Sequence, residues 1–223
     1  MLSKAQEKKI TALRTKKGRE KHKCCLVEGQ KVISEAGDFV ELIFKRTETE
    51  IFDDLVTTET PQDIAAIAKI PEWTLEDVKK EKTILVLDGV QDPGNVGTIL
   101  RLCLGFDAGL IFVESADPTS SKVIRSSAGA MFKVAWIQTP RSEIENQIAE
   151  LGRNVYLLEK RDGSKDISSV ETSDKKLMII GSEGSGIKIL AKGASIAIEH
   201  NPQLESLNVA SAVAILLYSL HKK

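Results

Sequence analysis

From Ile84 onward the chain alternates two textures, and this restricts its fold more than any other feature. Continuous apolar runs recur at Ile84–Leu87, Leu110–Val113, Val134–Ile137, Val155–Leu158 and Leu177–Ile180, and Ser195–Ile198 reads as the last strand. A strand that is apolar at every position, rather than at every second one, is covered on both faces, as in a parallel sheet. Between the runs lie segments of helical period: Asn95–Phe106, Lys122–Ala130, Glu143–Leu151 and, last, Leu207–Leu220. Parallel strands need long crossover connections, and helices supply them. The fold class predicted for residues 83–223 is therefore α/β, a mainly parallel sheet with helices on both faces.

Residues 1–75 have a different character. Lys4, Lys8, Lys9, Arg14, Lys16, Lys17, Arg19, Lys21 and Lys23 face only Glu7 and Glu20. Ile10 and Leu13 lie three apart, which predicts a short amphipathic helix from about Lys4 to Lys16. Cys24–Val27 and Phe39–Phe44 read as strands, and Gln30–Ala36 as a helix stopped by Gly37. Thr57–Pro61 reads as a loop. Ile64–Ala68 fits a helix by its alanines and a strand by its apolar run before Pro71. Glu76–Lys82 is charged and shows no apolar face, so 76–82 reads as a linker between a small N-terminal domain and the α/β domain.

Composition removes several function classes. The 223 residues carry 31 Lys+Arg against 32 Asp+Glu, a net charge of −1. Bulk positive charge cannot attract nucleic acid here, although a local basic patch such as Lys4–Lys23 can. Three cysteines, two of them adjacent, and three scattered histidines give neither a disulfide framework nor zinc-ligand spacing, so no metal is expected. The first residues hold no apolar signal core. The longest apolar stretch, Leu207–Leu220, is well short of the ~20 residues needed to span a bilayer. A cytoplasmic protein without a membrane span is expected.

Three segments can carry chemistry. In Leu87–Arg101 a strand passes through Asp92-Pro93-Gly94-Asn95 into a helix whose core stripe is Val96, Ile99, Leu100, Cys103 and Leu104. Arg101 lies off that stripe, free to face a cleft, and Asn95 sits where an N-cap belongs. A plain cap and a solvated arginine would explain the same residues; so would a ligand site at a strand's carboxyl end. Gly181-Ser182-Glu183-Gly184-Ser185-Gly186 follows a buried strand with the spacing G-x-x-G-x-G, which is neither the dinucleotide nor the Walker pattern. It is a tight turn or a close approach to a ligand. Glu183 reads as a buried carboxylate that needs a partner. In Glu205–Ala212, Ser206 can cap the last helix and Asn208 reads as a polar residue inside it.

Taken in order, the segments resemble the three motifs of the SpoU (TrmH-type) class of RNA 2′-O-ribose methyltransferases. Asp92–Arg101, Gly181–Gly186 and Glu205–Ala212 match the first, second and third motifs, and Lys122–Ala130 resembles a further family stretch. The likeness spans Ile84 to Leu220. Family members carry Ile-Pro where this chain has Ile198-Glu199. Leu13–Lys31, with Lys16-Lys17-Gly18-Arg19 and Val27-Glu28-Gly29, and Thr60-Pro61-Gln62-Asp63 resemble the family's RNA substrate-binding domain, akin to a small α/β fold of some ribosomal proteins.

The resemblance implies a C-terminal trefoil knot, a homodimer, and S-adenosyl-L-methionine as cofactor. It implies catalysis by Arg101 with Asn95 as its positioning partner. It implies cofactor binding around Gly181, Glu183, Gly186, Ile198, Ser206, Leu207 and Asn208. RNA contacts are expected at Lys16, Lys17, Arg19, Lys21 and Arg125. Ribosomal RNA is favoured over transfer RNA as the substrate, by analogy of the N-terminal domain. The rivals are a tRNA 2′-O-methyltransferase, a catalytically silent RNA-binding member of the fold, and a nucleotide-dependent dehydrogenase. The dehydrogenase reading lacks a G-x-G-x-x-G turn after the first strand.

Overall fold

The structure is a computed structural model and describes residues 1–58, 60–170 and 175–221. The chain divides into two compact units: Met1–Glu72 with Asp117–Lys133, and Trp73–Ala116 with Val134–Lys223.

The first unit is built on a three-stranded antiparallel sheet, β1 (Cys24–Glu28), β2 (Val40–Lys45) and β3 (Ile64–Lys69), in the order β1-β3-β2. Ile64–Ala68, which the sequence left open, is the central strand. Its small side chains Ala65, Ala66 and Ala68 are buried, and both neighbours supply ladder hydrogen bonds. The first helix, Lys4–Leu13, opens with a Ser3/Gln6 capping box and buries Ile10 and Leu13. It ends short of Lys16, because Thr15 caps a second helix, Lys16–His22. Gln30–Ala36 is a helix ended by Gly37 at φ +52°. Thr57–Pro61, read as a loop, includes Glu59, which lies outside the described residues.

Asp117–Lys133 was expected inside the C-terminal domain but packs as part of the first unit. Its helix, Ser121–Ser126, lies against β1. Gly129 sits so close to the Gln30–Ala36 helix that a Cβ there would meet Glu35 Cβ at 2.5 Å. Lys133 also pairs with Glu35.

The second unit holds β4 (Thr83–Asp88), β5 (Ala108–Val113), β6 (Trp136–Gln138), β7 (Asn154–Leu158), β8 (Lys165–Asp166), β9 (Lys176–Gly181) and β10 (Ala194–Ala197), ordered β6-β5-β4-β9-β7-β10-β8. Every pairing among these strands is parallel. All six residues of β4 and of β5 are buried, which is why they read as unbroken apolar runs. The register pairs Asp88 with both Val113 and Gly181, so three carboxyl ends stand level. The chain runs outward from β4 through β5 to β6, then builds the rest of the sheet on the other side of β4. Open α/β sheets bind ligands at such a switch point.

The predicted linker 76–82 is mostly helix. Leu75–Lys80 forms one turn and a half, with Thr74 and Asp77 as a capping box. Its apolar side consists of Leu75 and Val78 only, too short to show a period. Val78 is nonetheless fully buried and packs so closely on Gly109 that a Cβ there would lie 3.0 Å away. No described helix is long and apolar enough to cross a membrane.

Candidate active site

The three motifs meet at the carboxyl end of the sheet. The first begins with a helix two residues earlier than its periodicity suggests, at Pro93–Gly105. Proline suits the first helical position, and Asp92 rather than Asn95 is the cap: its Oδ1 accepts from Asn95 N at 2.7 Å. Asn95 is thereby released from capping. Its Nδ2 donates to Glu183 Oε1 at 3.3 Å and its Oδ1 accepts from Asn208 Nδ2 at 3.0 Å.

The glycine segment is both a tight turn and a cleft wall. Gly181 ends β9, and Ser182 and Gly186 then close on each other through an antiparallel bridge, with Gly186 N donating to Ser182 O at 2.9 Å. A Cβ on Gly181 would fall 2.3 Å from the Gly186 carbonyl carbon, so only glycine fits. Glu183, read as buried, is exposed at the tip of this turn. The partners its placement called for are present all the same. Oε1 accepts from Asn95 Nδ2, from Asn208 Nδ2 at 3.0 Å and from Val209 N at 3.1 Å. Val209 opens the last helix, so the carboxylate also faces a positive helix end.

That helix runs from Val209 to His221. Asn208 is its cap, not an interior residue, and Ser206 is not the cap. Asn208 Oδ1 accepts from Ala210 N at 3.1 Å and Ser211 N at 3.2 Å. The side chain is thus fully used: one end fixes the helix, the other ties Glu183 to Asn95.

Two clefts share the glycine turn as a wall. Gly181, Glu183, Gly186, Ile198, Ser206 and Leu207 all line one of about 430 Å³. Asn208 does not line it and acts from behind. His200, also in the lining, donates from Nδ1 to Ile198 O at 2.8 Å, while its Nε2 is buried without a partner. The second cleft, of about 400 Å³, is lined by Asn95, Ser182, Glu183, Arg141 and Lys188 among others. Arg101 lies on neither lining. It is exposed on the Pro93–Gly105 helix, off the buried stripe of Val96, Ile99, Leu100 and Cys103, some 9 Å along the axis from Asn95. Among the described residues no His, Cys, Asp and Glu cluster could hold a metal ion.

Sequence reasoning missed Asp88 and Arg141. Asp88, the last residue of β4, is 1% exposed and accepts from Arg141 Nη2 at 2.6 Å, Lys188 N at 2.5 Å and Ile189 N at 2.8 Å. Hydrogen bonds donated to Glu114 and Asp88 raise the Arg141 guanidinium further above its ordinary range, and the same Arg141 contact lowers Glu114. The available signal was an aspartate closing a wholly apolar run.

In the first unit Lys16, Lys17 and Lys21 are exposed, with Lys16 Nζ 3.9 Å from Glu20. Arg19 departs from the expected surface role. It is 6% exposed and donates to Thr119 Oγ1, Leu13 O and Asp117 Oδ2 at 3.0, 3.0 and 2.5 Å. It lies on the inner side of its helix and ties the unit internally. Burial pushes the Asp117 carboxyl up, but hydrogen bonds from Arg19 and Thr119 outweigh it and leave the group below its usual range. Arg125 is half-buried, its Nη1 donating to Glu28 Oε2 at 3.3 Å and Thr57 Oγ1 at 3.0 Å.

Residues 82–218 match the model of the SpoU rRNA Methylase family. The chain is 33% identical to the 23S rRNA (guanosine(2553)-2′-O)-methyltransferase RlmP of Bacillus subtilis, over 93% of this chain and 92% of that one. It is 29% identical to the 23S rRNA (adenosine(1067)-2′-O)-methyltransferase of Streptomyces azureus, over 77% of this chain and 66% of that one. Its fold is similar to that of an AdoMet-bound rRNA methyltransferase from Sinorhizobium meliloti, at a TM-score of 0.86 and 25% identity, covering 100% of this chain and 97% of that one. The protein belongs to the SpoU rRNA methylase family.

Proposed function

We propose that the protein transfers a methyl group from S-adenosyl-L-methionine to a ribose 2′-hydroxyl of RNA, with ribosomal RNA as the substrate. The observation that carries this reading is the convergence of Asn95, Asn208 and Val209 N on one Glu183 oxygen beside the 430 Å³ cleft. Three segments far apart in sequence are locked together where ligands bind in such sheets. The cleft is within the size range of small-molecule sites, and the orphaned Nε2 of His200 leaves a polar group for a ligand to satisfy. Gly181, Gly186, Ile198, Ser206 and Leu207 would hold the cofactor, and Glu183 and Asn208 keep the loops around it ordered.

The bound cofactor supplies a methyl group on a sulfonium, already a strong electrophile. The chain must align the hydroxyl and help it lose its proton. Alignment alone can lower the barrier greatly, since effective molarities reach ~10⁵ M or more. A guanidinium keeps its proton across the physiological range, so it is a poor base. In this reading Arg101 works together with an RNA phosphate, as a clamp or through a relay, while Asn95 holds Glu183 and Asn208 in place. Lys16, Lys17 and Lys21 bring RNA to the first unit through its phosphates.

Domain roles follow the same reading: Met1–Glu72 with Asp117–Lys133 recognise RNA, and the second unit, knotted as a trefoil, performs the transfer. A homodimer in the cytoplasm completes it. The Val209–His221 helix exposes Ile215 and Tyr218 at 41% and 49%, beside Leu104 at 42%, an apolar face suited to a second copy. A tRNA substrate or a silent RNA-binding role would leave the same fold, but a silent protein has no use for the intact Asn95–Glu183–Asn208 lock.

Calorimetry tests the cofactor assignment. Binding of S-adenosylmethionine, no binding of NAD, and a marked loss of affinity in Asn208→Ala are expected. Binding of NAD instead, or unchanged affinity in Asn208→Ala, would contradict it.

A further inference from the structure

Asp88 lies four residues before the Asp92–Arg101 motif, within the family match over residues 82–218, and three donors converge on its buried carboxylate. A buried carboxylate is costly unless it is paired and hydrogen-bonded. Arg141 supplies the opposite charge, and the amides of Lys188 and Ile189 supply the remaining bonds. Those amides lie immediately after Gly186 and Ile187, which line the 430 Å³ cleft. The glycine loop is therefore fixed at both ends. The Ser182–Gly186 bridge fixes its start, and Asp88, reaching about 100 residues along the chain, fixes its exit.

We propose that Asp88 is a positioning residue for cofactor binding, holding the exit of the glycine loop through Lys188 N and Ile189 N while Arg141 holds Asp88. The proposal rests on the reading that the 430 Å³ cleft takes S-adenosylmethionine. Asp88 does not itself line that cleft, although it lines the neighbouring one of about 400 Å³. It acts through the backbone, so its loss changes how well the loop is formed before the cofactor arrives. Arg141 enters from the first turn of the Arg141–Leu151 helix and is held on its outer side by Glu114. The anchor thus joins β4, the segment after β5, that helix and the glycine loop.

Asp88→Asn is the direct test, because it keeps the shape and removes the charge. An amide presents its oxygen either to Arg141 or to the two backbone amides, and its NH₂ then opposes donors on the other side. The loss of charge-assisted hydrogen bonds predicts a Kd for S-adenosylmethionine raised about tenfold or more by calorimetry. Amide exchange at Lys188 and Ile189 should accelerate by a similar factor in the cofactor-free protein. The rate at saturating cofactor should stay within about threefold, as for a change in binding that the transition state shares.

A folded Asp88→Asn protein with unchanged Kd and unchanged exchange would overturn the proposal. Should that variant lose its cooperative melt, Arg141→Lys decides: it keeps the cation but loses the fork that spans Asp88 and Glu114. Weaker cofactor binding with faster exchange supports the anchor, and wild-type values for both overturn it. Failure of the unaltered protein to bind S-adenosylmethionine would instead contradict the cofactor reading itself.

Discussion

Arg101→Ala should lower methyl transfer by roughly 10²–10⁴-fold, the range spanned by residues that assist proton transfer. Its affinities for S-adenosylmethionine and RNA should change little. The guanidinium is solvent-exposed, packs into no core and lines neither cleft. Removing it therefore leaves the fold and the cofactor cleft intact. What it takes away is the cation that meets an RNA phosphate while the 2′-hydroxyl loses its proton. Single-turnover rates with saturating RNA and cofactor isolate that step, and Arg101→Lys adds a contrast, since a point charge replaces a planar fork. A full-rate Arg101→Ala protein that binds both ligands would remove Arg101 from the chemistry.

A fragment of residues 1–75 made alone should fail to fold cooperatively. Although the N-terminal sequence looks self-sufficient, its unit is completed by Asp117–Lys133. That segment brings Val123, Ile124, Met131 and Phe132, all buried. At about 1.5–3 kcal/mol for each buried side chain, their loss comes to on the order of 10 kcal/mol. The net stability of a whole domain is only about 5–15 kcal/mol. The fragment also strands a buried guanidinium, because Arg19 loses Asp117 and Thr119, and Glu28 loses Arg125. Breaking a buried pair by removing one partner costs about 3–5 kcal/mol. Circular dichroism on heating should show no sigmoidal transition for 1–75, against a clear one for the full chain. A fragment that melts as sharply as the full chain would show that the inserted segment is dispensable.

The central sheet was legible because burial on both faces leaves a mark at every residue, as in Ile84–Leu87 and Leu110–Val113. The edge was not: β8 is only Lys165 and Asp166, both exposed, and exists through its pairing with β10. Leu75 and Val78 offered one helical spacing, too little to separate a helix from a linker. The site's residues were legible as types, but their jobs were not. Pro93 moved the cap from Asn95 to Asp92, and the last helix began late enough to make Asn208 its cap. Charge counting placed Arg19 with the surface lysines because its partner lies 98 positions away. Asp88 was missed for the same reason, its partners being Arg141 and the amides after Ile187.

The most direct test is the chemical identity of the product. Ribosomal RNA from cells lacking the gene would be incubated with the protein and isotope-labelled S-adenosylmethionine, digested to nucleosides, and separated by mass. A single labelled 2′-O-methylnucleoside, absent when that position carries a 2′-deoxyribose, is the predicted result. Label on a base, or label that survives the 2′-deoxy substitution, would contradict it.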